Sequence, residues 1–448
     1  MIPPKPESRQ ERVSLWRYMR LFRRDILSAQ PQKLYHAWMA EFKTPFFRSY
    51  MVNDPALIDV VLKLRPDDFP KSDRVGAGLR PVLGNSVFLT NGEVWRRQRR
   101  IIDPSFEGGR LRETFDAINA AVDAALVRLA AARNPCEVEF EASHATADVI
   151  FRTLFSVPIE DKIAAQVFDA FRRHQRSQPI LNLAAFIPLP RWAPRFFKRE
   201  SLETAQTIRS LIREMTEKRL KEIDAGTAPD DLATKIMTTV DPETGDRFDV
   251  EEMIDQVAIF FLAGHETSAA ALSWALYLLA THPEWQDRVA EEVADWEPSF
   301  AALSQLRVTR NVFRETLRLY PPVPMMVRET VQPEEFRKRV VRKGAQVVLS
   351  PWHLHRHERL WDRPDIFDPS RWDDPASQES QRQAYMPFSA GPRVCTGAGF
   401  AMVEGVLLIA RLTKYYRFEP VDGRVPVPEA QLTVRSRDGI WLKVTPRG

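Results

Sequence analysis

Apolar residues recur at three- and four-residue intervals along much of the chain, and this spacing predicts amphipathic or buried helices. The segments with this pattern are 109–133, 160–177, 201–224, 250–281, 284–295 and 303–319. Strand-like stretches are short, and they predict strands at 45–54 and 339–350 and a hairpin at 432–444. The pattern is typical of a mainly α protein with a small β region.

Two long stretches between the predicted helices show no periodic pattern. They cover residues 70–92 and 351–395, and irregular loops of that length are usually functional. No internal repeat is present, which weighs against a helical solenoid, and no Gly/Ser-rich linker divides the chain. We therefore expect one large domain.

The composition is that of a globular protein with an ample core, since 44% of the 448 residues are apolar and 28% are charged. The formal charge is only +4, and the basic runs at 20–25 and 95–100 are too short to predict a nucleic-acid surface. Two cysteines cannot build a disulfide framework, so a cytoplasmic location is expected.

Two segments raise the question of a membrane. The apolar run 257–280 carries Gly264, His265, Glu266 and Thr267 at its middle. Charge there would be costly in lipid, so the run predicts a buried helix and no transmembrane segment. The N-terminus lacks a signal-peptide pattern. Residues 13–24 form a basic amphipathic segment, for which packing on the domain is the favoured interpretation and peripheral membrane contact the alternative.

Cys395 lies in a loop made largely of backbone, "PFSAGPRVCTGAGFA" at 387–401. A buried structural thiol is the ordinary interpretation of an arbitrary cysteine. A thiolate in such a loop is also the soft ligand that binds haem iron and favours O–O cleavage. Gly391 and Gly397 allow close backbone approach. Phe388 can shield the sulfur, and Arg393 can pair with a carboxylate. These surroundings favour the haem ligand.

The spacing Phe388-x-x-Gly391-x-Arg393-x-Cys395-x-Gly397 resembles the haem-binding signature of the cytochrome P450 family at every fixed position. The following "GFAMVEGVLLIARL" resembles the family's helix after the ligand. The resemblance spans residues 35 to 445, and it implies a cytochrome P450 domain at 35–448 after an N-terminal extension at 1–34. It also implies haem b (iron protoporphyrin IX) with Cys395 as the iron ligand.

A second motif, "AGHETS" at 263–268, resembles the family's oxygen-side sequence midway along its longest helix. Ala263 and Thr267 are one turn apart and share a helix face. The resemblance implies that Ala263 and Gly264 leave room for dioxygen, and that Thr267 and Glu266 deliver protons. The plain alternative is a helix-interior threonine beside a carboxylate that is paired at the surface.

A third motif, "ETLRLYPP" at 315–322, resembles the family's Glu-x-x-Arg helix. Glu315 and Arg318 lie three residues apart on one helix face. Arg371, in "FDPSRW", stands where the family has a later arginine that completes a structural network. These three residues are therefore expected to hold the scaffold and to take no part in the chemistry.

Haem propionates need cations, and the resemblance assigns several residues to them. The candidates are Arg393, Arg328, the pair Trp95 and Arg99 in "WRRQR", and, more weakly, His355. Arg96, Arg97 and Arg100 lie on the remaining face of the same helix. They predict a docking face for an acidic electron donor.

The implied activity is that of a haem-thiolate monooxygenase, which inserts one oxygen atom from O2 into a C–H bond of a lipophilic substrate. A fatty acid, terpenoid or similar compound is expected, with a ferredoxin or flavodoxin-type donor and its reductase, and a monomeric enzyme. An apolar lid is predicted at 179–197. The expected pocket lining is Val75 to Phe88, Ala258, Phe261, Leu262, Val323 to Val327, Leu432 and Thr433.

Two other classes of function stay open at this point. A haem-thiolate peroxygenase or isomerase would share Cys395 but would not need Thr267 beside Glu266. A haem-based sensor would carry a signalling module, for which no segment of the chain is left over. Turnover with a reductant, compared with turnover on peroxide alone, separates the three.

Overall fold

The computed structural model describes residues 2–10, 13–43, 48–177 and 197–447, and over these residues the chain is mainly helical. The helices are α1 (Leu15–Arg24), α2 (Pro55–Asp59), α3 (Asp73–Leu83), α4 (Gly92–Ile102), α5 (Gly109–Glu113), α6 (Phe115–Ala131), α7 (Val138–Phe155), α8 (Lys162–Ser177), α9 (Arg199–Asp224), α10 (Leu232–Thr238), α11 (Val250–Thr281), α12 (Pro283–Glu292), α13 (Arg307–Leu319), α14 (Pro351–Leu354), α15 (Gln378–Ala384) and α16 (Ala398–Tyr415). The strands are β1 (Met39–Lys43), β2 (Arg48–Val52), β3 (Cys136–Glu137), β4 (Met326–Glu329), β5 (Glu334–Phe336), β6 (Arg339–Val341), β7 (Gln346–Leu349), β8 (Tyr416–Pro420), β9 (Pro428–Ala430), β10 (Val434–Ser436) and β11 (Trp441–Pro446).

The first compact unit consists of Met1–Phe69, Val122–Ser143 and Thr267–Gly448. Its largest sheet has the strand order β1-β2-β7-β4, in which β2 and β7 are parallel and the outer pairs antiparallel. Tyr50, Val347 and Leu349 of this sheet are buried in a core that also contains Trp361 and Trp372. A second sheet of order β3-β11-β8 and two hairpin-sized sheets complete its β region.

The second compact unit consists of Pro70–Ala121 and His144–Glu266. Helices α8 and α9 pack along each other, and α3 packs on α9. The apolar side of α8 buries Val167, Phe168 and Phe171, which is the face that its helical periodicity predicts. Because α11 runs from 250 to 281, its first half belongs to this unit and its second half to the first.

The predicted fold class is confirmed, and all six predicted helical segments are helical. The segment 109–133 forms two helices, α5 and α6, because the chain breaks at Thr114. Helix α7 was not predicted. Residues 145–151 of α7 are buried on every side, so the segment lacks the alternation of apolar and polar faces that marks an amphipathic helix.

Two expectations about irregular and β structure were wrong. The stretch 70–92 contains α3, which begins after Ser72, and the stretch 351–395 contains α14 and α15. The segment 432–444 is not a hairpin, because β10 pairs with β9 and β11 pairs with β8 and β3. Gly439, at a φ of +73°, turns the chain between β10 and β11 and directs them into different sheets.

The N-terminal segment packs on the first unit, as favoured from the sequence. The Ile26 N–H donates to the carbonyl of Ala430 (3.1 Å), and the buried Asp25 carboxylate accepts from the Ala430 N–H (2.9 Å). No helix among the described residues is long and apolar enough to cross a membrane. The predicted lid at 179–197 lies outside the described residues, apart from Phe197.

Candidate functional site

Cys395 lies in the turn that precedes α16, and its side chain is exposed. Its N–H donates to the carbonyl of Phe388 (2.9 Å), and its carbonyl accepts from the Ala398 N–H (3.3 Å). The turn leads directly into α16, an 18-residue helix, whose N-terminal end favours negative charge near it. Cys136, by contrast, is buried in β3, and burial raises the pKa of its thiol to about 11.

Gly391 allows the loop that carries Cys395, called the ligand loop here (residues 387–397), to pass close to the helical turn at Leu62. Its φ is +67°, and a Cβ at this position would lie 2.1 Å from the carbonyl oxygen of Leu62. Both constraints require glycine. An added Cβ at Gly397 would meet no atom of the described residues within 4 Å, so no packing contact among them requires glycine at this position.

Arg393 fastens the same loop to residues 66–69. Its Nη1 donates to the carbonyls of Pro66 (2.5 Å) and Phe69 (3.1 Å), and its Nη2 lies 3.7 Å from the carboxylate of Asp67. The side chain is buried, so it holds a positive charge at the edge of the ligand loop.

Arg328, on β4, is a second buried cation. Its Nε has no hydrogen-bond partner among the described residues, and it forms no ion pair with them. Burial lowers the pKa of Arg328 to about 10, and the positive charge of Arg393 adds to the effect. A buried guanidinium without an anionic partner among the described residues can receive a carboxylate, and haem propionates are the carboxylates that the resemblance implies.

Glu315, Arg318 and Arg371 are brought together with almost no solvent exposure. Arg318 donates to both carboxylate oxygens of Glu315 (2.9 and 2.8 Å), and Arg371 donates to one of them (3.2 Å). Arg318 also donates to the carbonyls of His355, Pro364 and Ile366. The network therefore ties α13 to the chain that leads into the ligand loop.

The AGHETS segment presents one small, accessible face of α11. Beyond the helix's first turn Ala263 is its only exposed residue, and Thr267, one turn later, is partly exposed. The opposite face is buried: Phe261 packs on Phe151 and Phe171, with ring centroids at 4.8 and 4.6 Å. Phe261 is thus a core residue, and the sequence-based assignment of this side chain to the pocket lining was wrong.

Gly264 faces a neighbouring helix. A Cβ there would lie 2.4 Å from Cδ1 of Ile150 on α7, so close packing of α7 against α11 by itself requires glycine. Its role in making room for dioxygen stays a prediction.

The buried Glu266 carboxylate has a partner that the sequence did not indicate. Gln175, near the end of α8, donates from Nε2 to Glu266 Oε2 (2.8 Å). The carbonyl of His265, the residue before Glu266, accepts a hydrogen bond from the Thr146 hydroxyl of α7 (3.0 Å). Helices α7 and α8 therefore fix the position of α11 just where the predicted proton donor stands.

Trp95 and Arg99 share a face of α4, with the Arg99 guanidinium 5.8 Å from the Trp95 ring. Arg99 Nε also donates to Asp103 (2.7 Å). The prediction of a docking face on the same helix loses support, because its arginines Arg97 and Arg100 form ion pairs within the protein. Arg97 donates to Glu252 (2.6 Å) and Arg100 to the buried Asp241 (2.6 Å).

His355 cannot serve as the further propionate partner that the sequence suggested. Its Nε2 accepts from the Met386 N–H (2.9 Å), and its Nδ1 lies 3.2 Å from the carbonyl of Arg318. Burial lowers the pKa of His355 to about 3, so the ring is neutral. It is a structural bridge of the Glu315 network.

Comparisons with known proteins show the family of the chain. The model of the family described as Cytochrome P450 matches residues 18–443. The chain belongs to the cytochrome P450 family. Cyclooctat-9-en-7-ol 5-monooxygenase from Streptomyces melanosporofaciens is 32% identical over 90% of this chain and 87% of the relative. Cyclooctatin synthase from the same organism is 31% identical (86% and 84% covered), and human cytochrome P450 4A22 is 31% identical (87% and 78%).

Membership makes the protein a cytochrome P450 monooxygenase and implies a haem cofactor. The residues present fit that cofactor, since an exposed thiol stands at a helix N-terminus and the buried Arg328 lacks an anionic partner among the described residues. Sequence reasoning missed Gln175, for which the sequence gives no signal. It also missed Glu404, a buried carboxyl on α16 that is visible as the one acid in an apolar helix.

Proposed function

We propose that this cytochrome P450 hydroxylates a C–H bond of a lipophilic substrate, with electrons from a separate donor protein. The observation that carries the proposal is the accessible face of α11, where the small Ala263 and the hydroxyl of Thr267 stand beside the held carboxylate of Glu266. A peroxygenase or an isomerase has no need for this arrangement.

Each residue has a separate part in the proposed reaction. Cys395 holds the iron of haem b, and the loop Phe388–Gly397 shapes the backbone around the sulfur. Arg328 and Arg393 neutralise propionates, with Trp95 and Arg99 as further contacts. Haem bound by a thiolate supplies dioxygen activation and O–O cleavage.

Proton delivery is assigned to two residues of α11. Glu266 is held by Gln175 and takes protons from solvent, and the Thr267 hydroxyl passes them to the accessible face. Ala263 leaves that face without a bulky side chain, so dioxygen and the substrate carbon can approach. The buried, apolar remainder of α11 excludes water from the other side of the helix.

The substrate is proposed to be a lipophile such as a terpenoid or a fatty acid. Supporting this, one relative is named for a monooxygenase reaction on cyclooctat-9-en-7-ol, an alcohol on a hydrocarbon skeleton. The donor is proposed to be a ferredoxin or a flavodoxin-type protein with its reductase, since the family implies a redox partner.

The test has two steps. A panel of terpenoids and fatty acids is screened for compounds that change the spin state of the ferric protein, and turnover of those compounds by the purified holoprotein is then measured. Product that depends on reductant and O2 supports the proposal, whereas product formed equally well with peroxide alone, or none with any spin-shifting compound, contradicts it. Cys395→Ala should lose the thiolate signature of the ferrous carbonyl complex, and Cys136→Ala is the matched control that should keep it. Thr267→Ala should bind substrate normally and divert electrons to peroxide.

A further inference from the structure

Helix α1 presents a face of positive charge that the proposed reaction does not use. Its exposed residues are Trp16, Arg17, Arg20, Arg23 and Arg24. At about 100° per residue, these five positions fall within about 120° of the helix circumference. They form one continuous stripe, named here the α1 basic face.

The opposite face of α1 is fixed to the protein. Phe22 is buried, and the Tyr18 ring lies 5.8 Å from that of Phe22 and 6.3 Å from that of Phe42 on β1. Asp25, which ends the helix, is buried and accepts hydrogen bonds from the backbone of Leu27, Ser28 and Ala430. The helix is therefore held in place, and the direction of the α1 basic face is set by packing.

The four arginines of this face have no ion-pair partner in the described ranges of the chain. On α4, by contrast, Arg97 pairs with Glu252 and Arg100 with Asp241. Trp16, at one end of the stripe, is 82% exposed.

We propose that the α1 basic face docks on an anionic lipid surface. Arginine forks bind phosphate through two hydrogen bonds, and juxtamembrane clusters of four or more basic residues bind anionic lipids. Trp is also enriched at the headgroup level of membranes, so the exposed Trp16 beside the arginines fits a lipid surface, and docking of an acidic protein is the alternative that the experiment tests. The helix lies on the surface and does not span the bilayer.

The experiment is co-sedimentation of the full-length holoprotein with vesicles. One set is made of phosphatidylcholine alone and the other of phosphatidylcholine mixed with phosphatidylserine. We expect binding to the mixed vesicles only, weakened by salt because exposed charges are screened. Arg20→Gln with Arg24→Gln should lower the affinity about 25-fold, since each basic residue near such a surface contributes roughly fivefold. Trp16→Ala should also lower the affinity for the mixed vesicles, and its effect should be most visible at high salt, where the charges are screened.

The matched control is Lys218→Gln with Lys221→Gln, which removes two exposed charges from α9 and should leave vesicle binding unchanged. Glutamine is a good helix former, and an unaltered ferrous carbonyl spectrum verifies folding of each variant. Equal binding to both kinds of vesicle, or equal affinity of the α1 and α9 variants, overturns the proposal. A third result would also overturn it. If the α1 variant is reduced more slowly by an acidic donor protein but binds vesicles as well as the wild type, the face docks a protein. None of these readouts depends on the proposed hydroxylation.

Discussion

Replacing the buried Glu404 by glutamine should make the protein's stability less dependent on pH. The Glu404 side chain is 1% exposed on α16, and its only hydrogen bond among the described residues comes from the Ser268 hydroxyl to Oε2 (2.5 Å). Its Oε1 has no partner there. Burial raises the pKa of Glu404 to about 8 from an ordinary value of 4.5, and the Ser268 hydrogen bond opposes only part of that.

The sign follows from which state binds the proton. Between pH 4.5 and about 8 the folded protein keeps the Glu404 proton and the unfolded chain has lost it. The free energy of unfolding therefore falls as pH rises through this window, by up to about 1.4 kcal/mol per pH unit, and is flat with respect to this group outside it. Over the whole window the loss is about 3 to 5 kcal/mol, an upper limit because water entering around an ionised carboxylate would reduce it.

Glutamine has the shape of the protonated carboxyl and cannot ionise, so Glu404→Gln should remove this loss. Urea unfolding of the holoprotein, followed by circular dichroism, should give similar stabilities for both proteins near pH 5. The variant should gain about 2 to 3 kcal/mol relative to the wild type over the two pH units above that. Glu419→Gln replaces an exposed carboxylate of β8 and is the matched control, with no such gain expected. If the Glu404 variant and the wild type lose stability in parallel as pH rises, Glu404 ionises in its ordinary range and the reasoning from burial is wrong.

Three further predictions concern the scaffold and the site. Glu315→Gln should lower the free energy of unfolding by about 3 to 5 kcal/mol in a denaturation assay, because it leaves two buried guanidinium groups without their carboxylate. The control is Glu379→Gln, which removes an exposed ion pair and should cost less than about 1 kcal/mol in the same assay. Gly391→Ala should lower haem occupancy, read from the ferrous carbonyl absorbance, because the new Cβ meets a main-chain carbonyl at 2.1 Å; full occupancy would show that the loop can move aside. Gln175→Leu should lower the ratio of product to reductant consumed by releasing Glu266, with unchanged spin-state affinity for substrate; a change in both would assign Gln175 to packing alone.

The sequence alone determined the fold class and the ligand loop, because both depend on local chemistry. Helices α8, α9, α11 and α13 follow from apolar spacing along the chain. Cys395 stands out because a thiol among glycines with an arginine two residues before it is a local pattern. The Glu315 network could be anticipated for a related reason, since two of its three members lie one helical turn apart.

Only the tertiary structure decided which polar groups meet across the chain. Helix α7 carries no amphipathic signal because its residues 145–151 are buried on every side. The segment 432–444 enters two sheets because its partners, β8 and β9, lie elsewhere in the chain. Gln175 reaches Glu266 over 91 residues, and Ser268 reaches Glu404 over 136. A hydrogen bond of this kind depends on the positions of two side chains in space, and the spacing of either one along its own helix carries no information about the other. The charges of α4 and α1 make the same point, because both helices are basic in sequence. Only the tertiary structure shows that Arg97 and Arg100 of α4 form internal ion pairs while the arginines of α1 stay exposed.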